Sequence, residues 1–393
     1  MVSFFTPPDR RFFVAANNFL CYFIITMKYQ IITFGCQMNE SDSERLGQYL
    51  DSRGWSQARD VSEADLLFFN ACSVRQSAVD RLYAKVKKIK SADKKARIIL
   101  IGCILQKDKN KFTNLGVKIR RIEQLPINPA GSHPELVSGS TKRATQILKR
   151  VQNDSAYYVP IMRGCNNWCS YCAVPLTKGR ERCRPAREII NEIKTLVASR
   201  HQEITLLGQN VNSYFGSQGT NNPQLINSLT REPNNHITQI DFADLLKIIN
   251  KIPGNFKIRF LTNHPKDMSD KLIRTIAQCD KVIKEIHLPF QSGDDSILKA
   301  MNRHYTKQHY LDLVKKIKLI IPGVKITTDI IVGFPNETET QFQETVDVVK
   351  KVGFFKAYIS KYSPRQGTIA SRLADNIPMA EKKRREQILR QII

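Results

Sequence analysis

The chain has 393 residues, 41% of them hydrophobic, which is enough to bury one large core and leave room for a second. Its 61 Lys and Arg against 36 Asp and Glu give a formal net charge of +25, an excess that points to a polyanionic partner, nucleic acid before a merely solvated surface. Nine cysteines, an odd count with three of them inside eight residues, argue against a secreted disulfide framework and favour metal or cluster ligation in a reducing compartment.

Residues 1–26 read as an extension upstream of a working start near Met27. Phe12 to Ile25 is largely apolar behind Asp9-Arg10-Arg11, a loose likeness to a signal peptide. However, Asn17 and Asn18 interrupt the run and it is too short to span a bilayer. No later stretch is apolar and long enough to do so, so a soluble, cytoplasmic protein with no membrane partner is expected. Residues 27–125 form the first domain. Tyr29–Phe34 reads as a strand broken by Gly35-Cys36, and Ser41-x-x-Glu44 is a capping-box pattern that predicts a helix running towards Ser52. Leu66–Phe69 predicts a second strand, ending at Asn70-Ala71-Cys72, and a basic amphipathic helix follows through Lys90. Arg97–Ile101 predicts a third, ending at Gly102-Cys103. This βαβαβ order implies a parallel sheet. Cys36, Cys72 and Cys103 each fall one to three residues past the C-terminal end of a predicted strand, along the edge where α/β sheets bind ligands. Any one of them alone reads as structural; three in the same topological position predict a shared site.

Residues 126–155 read as a linker, turn-rich around Asn128-Pro129 and Ser138-Gly139 and without periodicity. Strand–helix alternation then resumes over residues 156–372. Tyr157–Ile161, Ile204–Leu207, Ile258–Leu261, Glu285–Leu288, Lys325–Val332 and Lys356–Ser360 predict six successive β/α units, an incomplete TIM-like (β/α)6 barrel, with an exposed Asn-rich loop between Asn221 and Asn235. A charged helix closes the chain over residues 373–393. The overall expectation is an α/β protein of two domains.

The most specific motif is Cys165-Asn166-Asn167-Trp168-Cys169-Ser170-Tyr171-Cys172, C-x3-C-x2-C, just past the first barrel strand. Barrel sites lie at that C-terminal face. Three thiolates in one short loop can hold three irons of a 4Fe-4S cluster and leave the fourth open to a chelating substrate. Structural zinc is the weaker reading, because it takes paired C-x2-C or Cys/His knuckles and no fourth ligand is evident nearby. Cys183 and Cys279 lack partners at ligand spacing and read as ordinary thiols, and Cys21 falls in the extension. The run Arg180-Glu181-Arg182-Cys183-Arg184 follows the loop closely enough to hold phosphates.

The string Met162 to Pro175 around these cysteines resembles the methylthiotransferase family of radical S-adenosylmethionine (SAM) enzymes, as does Thr33-Phe34-Gly35-Cys36-Gln37-Met38-Asn39. Further matches are His264-Pro265-Lys266-Asp267, His287 to Gly293, Met301-Asn302-Arg303, Asp329 to Pro335 and Tyr362-Ser363-Pro364-Arg365. The resemblance covers Met27 to Ile393 apart from the linker. It implies a cluster on Cys165, Cys169 and Cys172 and a second, auxiliary 4Fe-4S cluster on Cys36, Cys72 and Cys103. It also implies SAM contacts at Gly208-Gln209-Asn210 and Gly333, with Tyr171 near adenine. The implied reaction is cleavage of SAM to a 5′-deoxyadenosyl radical, hydrogen removal from C2 of a modified adenine beside the anticodon of tRNA, and transfer of a methylated sulfur to that carbon. The Gln37-Met38-Asn39 form is similar to the branch acting on N6-dimethylallyladenosine; relatives acting on threonylcarbamoyl-adenosine or on a ribosomal-protein aspartate carry other residues there. An electron donor such as flavodoxin or ferredoxin and a sulfur source are implied partners. The family's small C-terminal TRAM β-barrel is expected beyond Ile393 and missing from this chain. The rival of another class is a non-catalytic RNA-binding protein with a structural metal.

Overall fold

A computed structural model describes residues 27–73, 76–92, 97–125, 156–217 and 239–393, and the chain divides into two compact units, Met1–Pro129 and Ala130–Ile393. The extension 1–26, the linker 126–155 and the Asn-rich loop 221–235 lie outside the described residues.

The first unit carries a parallel sheet of five strands: β1 (Lys28–Phe34), β2 (Ser56–Gln57), β3 (Leu66–Cys72), β4 (Arg97–Cys103) and β5 (Lys118–Ile119), in the order β2-β1-β3-β4-β5. Every residue of central β3 is buried because both faces are covered. Leu67, Phe69 and Ala71 pack with Val79, Leu82 and Val86 of α2 (Gln76–Ser91). Leu66 and Phe68 pack on the other side with Leu46 and Leu50 of α1 (Gln37–Ser52). Helix α1 starts four residues before the predicted capping box. The Asn39 side-chain oxygen accepts the Cys36 N–H at 3.4 Å, so the turn out of β1 is itself the helix start, and Ser41 is buried within it. The two edge strands β2 and β5 are two residues each, too short to leave a periodic signature.

The second unit contains six parallel strands in chain order: β6 (Ala156–Pro160), β9 (Glu203–Leu207), β12 (Lys257–Phe260), β13 (Glu285–His287), β14 (Lys325–Val332) and β15 (Lys356–Lys361). Between them lie two short hairpins, β7 (Met162–Arg163) with β8 (Arg182–Cys183) and β10 (Phe215–Ser217) with β11 (Gln239–Asp241). The six predicted strands all form, within two residues of their expected limits. Side chains alternate by the pleat: Ile204, Leu206, Ile258, Phe260, Ile286, Ile326 and Ile330 enter one continuous apolar core. Glu203, Arg259, Glu285, His287 and Asp329 lie on the opposite face, where Arg259 donates to Glu203 at 2.9 Å and to Glu285 at 2.7 Å. That double pair joins β9, β12 and β13, and a parallel bridge Ile258↔Val282 continues the sheet across the β12–β13 junction. Asp241, Ser269, Asp294, Thr306 and Thr338 start five of the flanking helices, each accepting the backbone N–H three residues on.

The closing helix, Met379–Ile392, is part of this unit. Leu389 sits in the core, and Arg385 meets Glu337 at 2.7 Å with both side chains buried. No helix among the described residues is long and apolar enough to cross a membrane. Removing one member of a buried ion pair leaves the other uncompensated, at a cost of about 3 kcal/mol. Glu337→Leu is therefore expected to destabilise the barrel unit by that order in urea unfolding, and the double variant Glu337→Leu/Arg385→Met by clearly less. Equal losses in the two would show the pairing to be immaterial.

Candidate metal and cofactor sites

In the first unit the strand ends bring three thiols to one edge. Cys72 and Cys103 are register partners on adjacent β3 and β4, and Ser73 N–H donates to the Cys103 carbonyl at 2.7 Å. Phe34, the last residue of β1, pairs with Ala71, so Cys36 stands two residues beyond, at the same edge. Cys36 is exposed whereas Cys72 and Cys103 are buried. The buried amides Asn39 and Asn70 tie the turn to the sheet: Asn39 Nδ2 donates to Asn70 Oδ1 at 2.7 Å, and Asn70 Nδ2 returns a bond to the Asn39 carbonyl at 2.7 Å. Asn39 Oδ1 also accepts from Cys36 Sγ at 3.4 Å. Gly102 adopts φ +100°, where a Cβ would run into the Ala71 carbonyl, so only glycine lets β4 approach here.

In the second unit the loop Gly164–Ala173 leaves the β7 strand and has little regular structure of its own. It takes its shape from neighbours. Gly164 has φ +82°, and a Cβ there would collide with the Arg180 carbonyl. Its N–H donates to Gln209 Oε1 at 2.6 Å, and Cys165 N–H donates to the Gly179 carbonyl at 3.2 Å. Farther along, Ser170 Oγ donates to the Ala300 carbonyl at 2.7 Å, its N–H donates to the Met301 carbonyl at 2.9 Å, and its own carbonyl receives Ala370 N–H at 2.8 Å. Asn302 Nδ2 donates to the Trp168 carbonyl at 2.9 Å, holding Trp168 at φ 50°, 48% exposed.

The sulfurs receive directed donors. Asn167 N–H points to Cys165 Sγ and Val174 N–H to Cys172 Sγ, each at 3.5 Å, and Arg303 Nη1 donates to Cys169 Sγ at 3.4 Å. Burial pushes the Cys172 thiol up to about 12, with the neighbouring Cys169 and Cys165 adding to it, and burial likewise raises Cys165. Such thiols stay protonated in the bare protein; a bound iron inverts that preference, because its charge favours the thiolate. Among the described residues no three His, Cys, Asp or Glu side chains close on a single ion. A cluster needs less, since each thiolate sits on a different iron. A donor set of thiols alone, N–H groups directed at sulfur and a cation at the third sulfur together fit an iron–sulfur group.

The other expected contacts are distributed differently. Gly208 sits at the end of β9, where a Cβ would run into the Met162 side chain, and its carbonyl accepts from Thr262 Oγ1 at 2.8 Å. Gln209 is the residue that anchors Gly164. Asn210 is buried and donates from Nδ2 to Asp267 at 2.7 Å, leaving its Oδ1 without a hydrogen-bond partner. Tyr171 is half-buried against Phe334, Tyr362 and Met301. Gly333 has φ +68°, and the position a Cβ would fill holds the stem of Lys382 from the last helix, so its glycine requirement comes from that helix. The basic run after the loop divides: Arg180 and Arg182 are exposed, but Arg184 is buried on Glu192 at 2.8 Å and is structural. Cys183 accepts Phe215 N–H at 3.4 Å, and Cys279 lies in the apolar core. The residues that clamp the loop, Ser170 and Asn302, were unrecognised from sequence, as were Asn39 and Asn70. The Met301-Asn302-Arg303 string was visible but carried no assigned role.

Residues 159–349 match the Radical SAM superfamily, and residues 28–122 match the Uncharacterized protein family UPF0004. The chain is 42% identical over 382 residues to the tRNA-2-methylthio-N(6)-dimethylallyladenosine synthase of Syntrophomonas wolfei, covering 91% of this chain and 80% of that one. It is 42% identical over 380 residues to the protein of the same name from Alkaliphilus oremlandii, covering 91% and 76%. Among solved structures, the radical SAM methyltransferase TsrM from Kitasatospora setae, with cobalamin and a 4Fe-4S cluster bound, superposes with a TM-score of 0.58 at 12% identity over 88% of this chain and 77% of that one, a likeness of fold alone.

Gly164→Ala is expected to abolish iron uptake at the C-x3-C-x2-C loop while leaving uptake on Cys36, Cys72 and Cys103 intact, because the strain falls on one loop. Iron content of the variant, with and without the auxiliary cysteines, tests this; normal loading of the loop would refute it.

Proposed function

The chain belongs to the family of tRNA-2-methylthio-N6-dimethylallyladenosine synthases, and we propose that it adds a methylthio group to C2 of N6-dimethylallyladenosine beside the anticodon of tRNA. It is a transferase of the radical SAM type. The observation that carries the substrate reading is the identity of about two residues in five across nine-tenths of the chain to synthases of that name. The net charge of +25 supports a tRNA partner.

In this reading Cys165, Cys169 and Cys172 hold one 4Fe-4S cluster, and Cys36, Cys72 and Cys103 hold the auxiliary one. With SAM bound, the first cluster supplies one-electron cleavage of SAM, and the cofactors carry the difficult chemistry. The protein's task is placement. Gly164 and Gln209 set where the loop leaves β7, and Ser170 and Asn302 fix its far half. Gly208, Gln209, Asn210, Gly333 and Tyr171 are proposed around SAM, with the unpartnered Asn210 Oδ1 the best-supported acceptor for a donor on it. Gly333 acts there through the backbone, since Lys382 fills its open face. An electron donor of the flavodoxin or ferredoxin type, a sulfur source and a cytoplasmic setting complete the proposal.

Anaerobically reconstituted protein is expected to carry about eight irons per chain, and about four in the Cys165/Cys169/Cys172→Ala variant, the counts for two and one cysteine-held clusters. The Cys36/Cys72/Cys103→Ala variant should still cleave SAM to 5′-deoxyadenosine yet give no methylthio product on tRNA. Zinc in place of iron, or product formation by that second variant, would overturn the assignment.

A further inference from the structure

Among the described residues Arg303 is a cation that meets no carboxylate. It is 7% exposed, and among the described residues its guanidinium reaches only neutral oxygens and one sulfur: Nε to Tyr305 OH at 3.0 Å, Nη2 to the Pro289 carbonyl at 2.9 Å and Nη1 to Cys169 Sγ at 3.4 Å. Two other well-buried arginines differ. Arg184 meets Glu192 at 2.8 Å and Arg385 meets Glu337 at 2.7 Å. A guanidinium cannot shed its proton to escape burial, and a buried charge without a counter-charge is costly. The one sulfur within its reach is that of Cys169, a member of the loop triad.

We propose that Arg303 is a positioning residue for the loop cluster, its buried charge raising the cluster's reduction potential through the hydrogen bond to Cys169. This rests on the reading that Cys165, Cys169 and Cys172 hold that cluster. Reduction adds one negative charge to the thiolate-ligated group, and a fixed cation in a medium of low dielectric favours the more negative state. Hydrogen bonds to sulfur and local net charge are two of the levers that set such potentials. The placement is built in. Asn302, at φ 56°, turns the chain so that Met301 and Asn302 clamp the loop while the next residue reaches the sulfur. Tyr305, whose hydroxyl also donates to the Phe290 carbonyl at 2.8 Å, fixes the far side of the guanidinium.

The test uses full-length chain in a Cys36/Cys72/Cys103→Ala background, so that only the loop cluster is present, with iron counted and the reduced-cluster EPR signal followed in a dithionite and mediator titration. Arg303→Met should hold the same iron, and at a fixed potential its ratio of reduced to oxidised cluster should fall at least tenfold, 59 mV for a one-electron couple. Arg303→Lys, which keeps the charge, should fall between. A ratio in Arg303→Met within threefold of the parent overturns the proposal. If Arg303→Met takes up no iron, Arg303→Gln is read in its place against the same limits. Failure of both neutral variants to load, with Arg303→Lys loading normally, also overturns it, because the cation would then serve assembly and not potential. Absence of iron from the parent itself would fall on the cluster reading and not on Arg303.

Discussion

The C-x3-C-x2-C loop is irregular, although its cysteines stand at i, i+4 and i+7, a spacing that a helix could also present on one face. Because Gly164–Ala173 forms neither helix nor strand, it has few internal hydrogen bonds to hold it. What it lacks is supplied from three directions: Gln209 and the Gly179 carbonyl at its start, the 300–302 turn at its middle, and Ala370 N–H on the Ser170 carbonyl. The barrel strands exist, in this respect, to bring those donors and acceptors together. A loop supported only at its two ends would pay the conformational entropy of ordering at each cluster uptake.

The two cysteine triads are gathered by opposite means. In the second unit, proximity comes from spacing in the chain, and tertiary structure only refines it. In the first, Cys36, Cys72 and Cys103 are far apart in sequence, and the parallel sheet brings them to one edge, since parallel strands end on the same side. The amide pair Asn39 and Asn70 then fixes the one cysteine that lies outside the ladder. A thiol outside the ladder needs such a brace; the two in register do not.

Charge is handled with similar economy. The polar face of the open barrel is stitched by Arg259 between two glutamates, and the last helix is held by Arg385 on Glu337. Each of these cations has its carboxylate. Arg303 instead meets the sulfur of Cys169.

The sequence by itself determined the element order and the six barrel strands, because hydrophobic period is a local signal, and the resemblance of its motif strings identified the family. It misplaced the start of α1, since Ser41-x-x-Glu44 satisfies a capping pattern while the decisive bond, Asn39 to the Cys36 N–H, depends on a turn with no pattern of its own. The contacts that hold the last helix to this unit, Lys382 against Gly333 and Arg385 on Glu337, join residues some fifty positions apart and leave no trace in the sequence. It could not see that Gln209 holds the loop or that Arg303 faces Cys169, 134 residues earlier in the chain. Those assignments belong to tertiary structure, because hydrogen bonds and buried charges are satisfied by whatever the fold brings near, and no spacing along the chain records that.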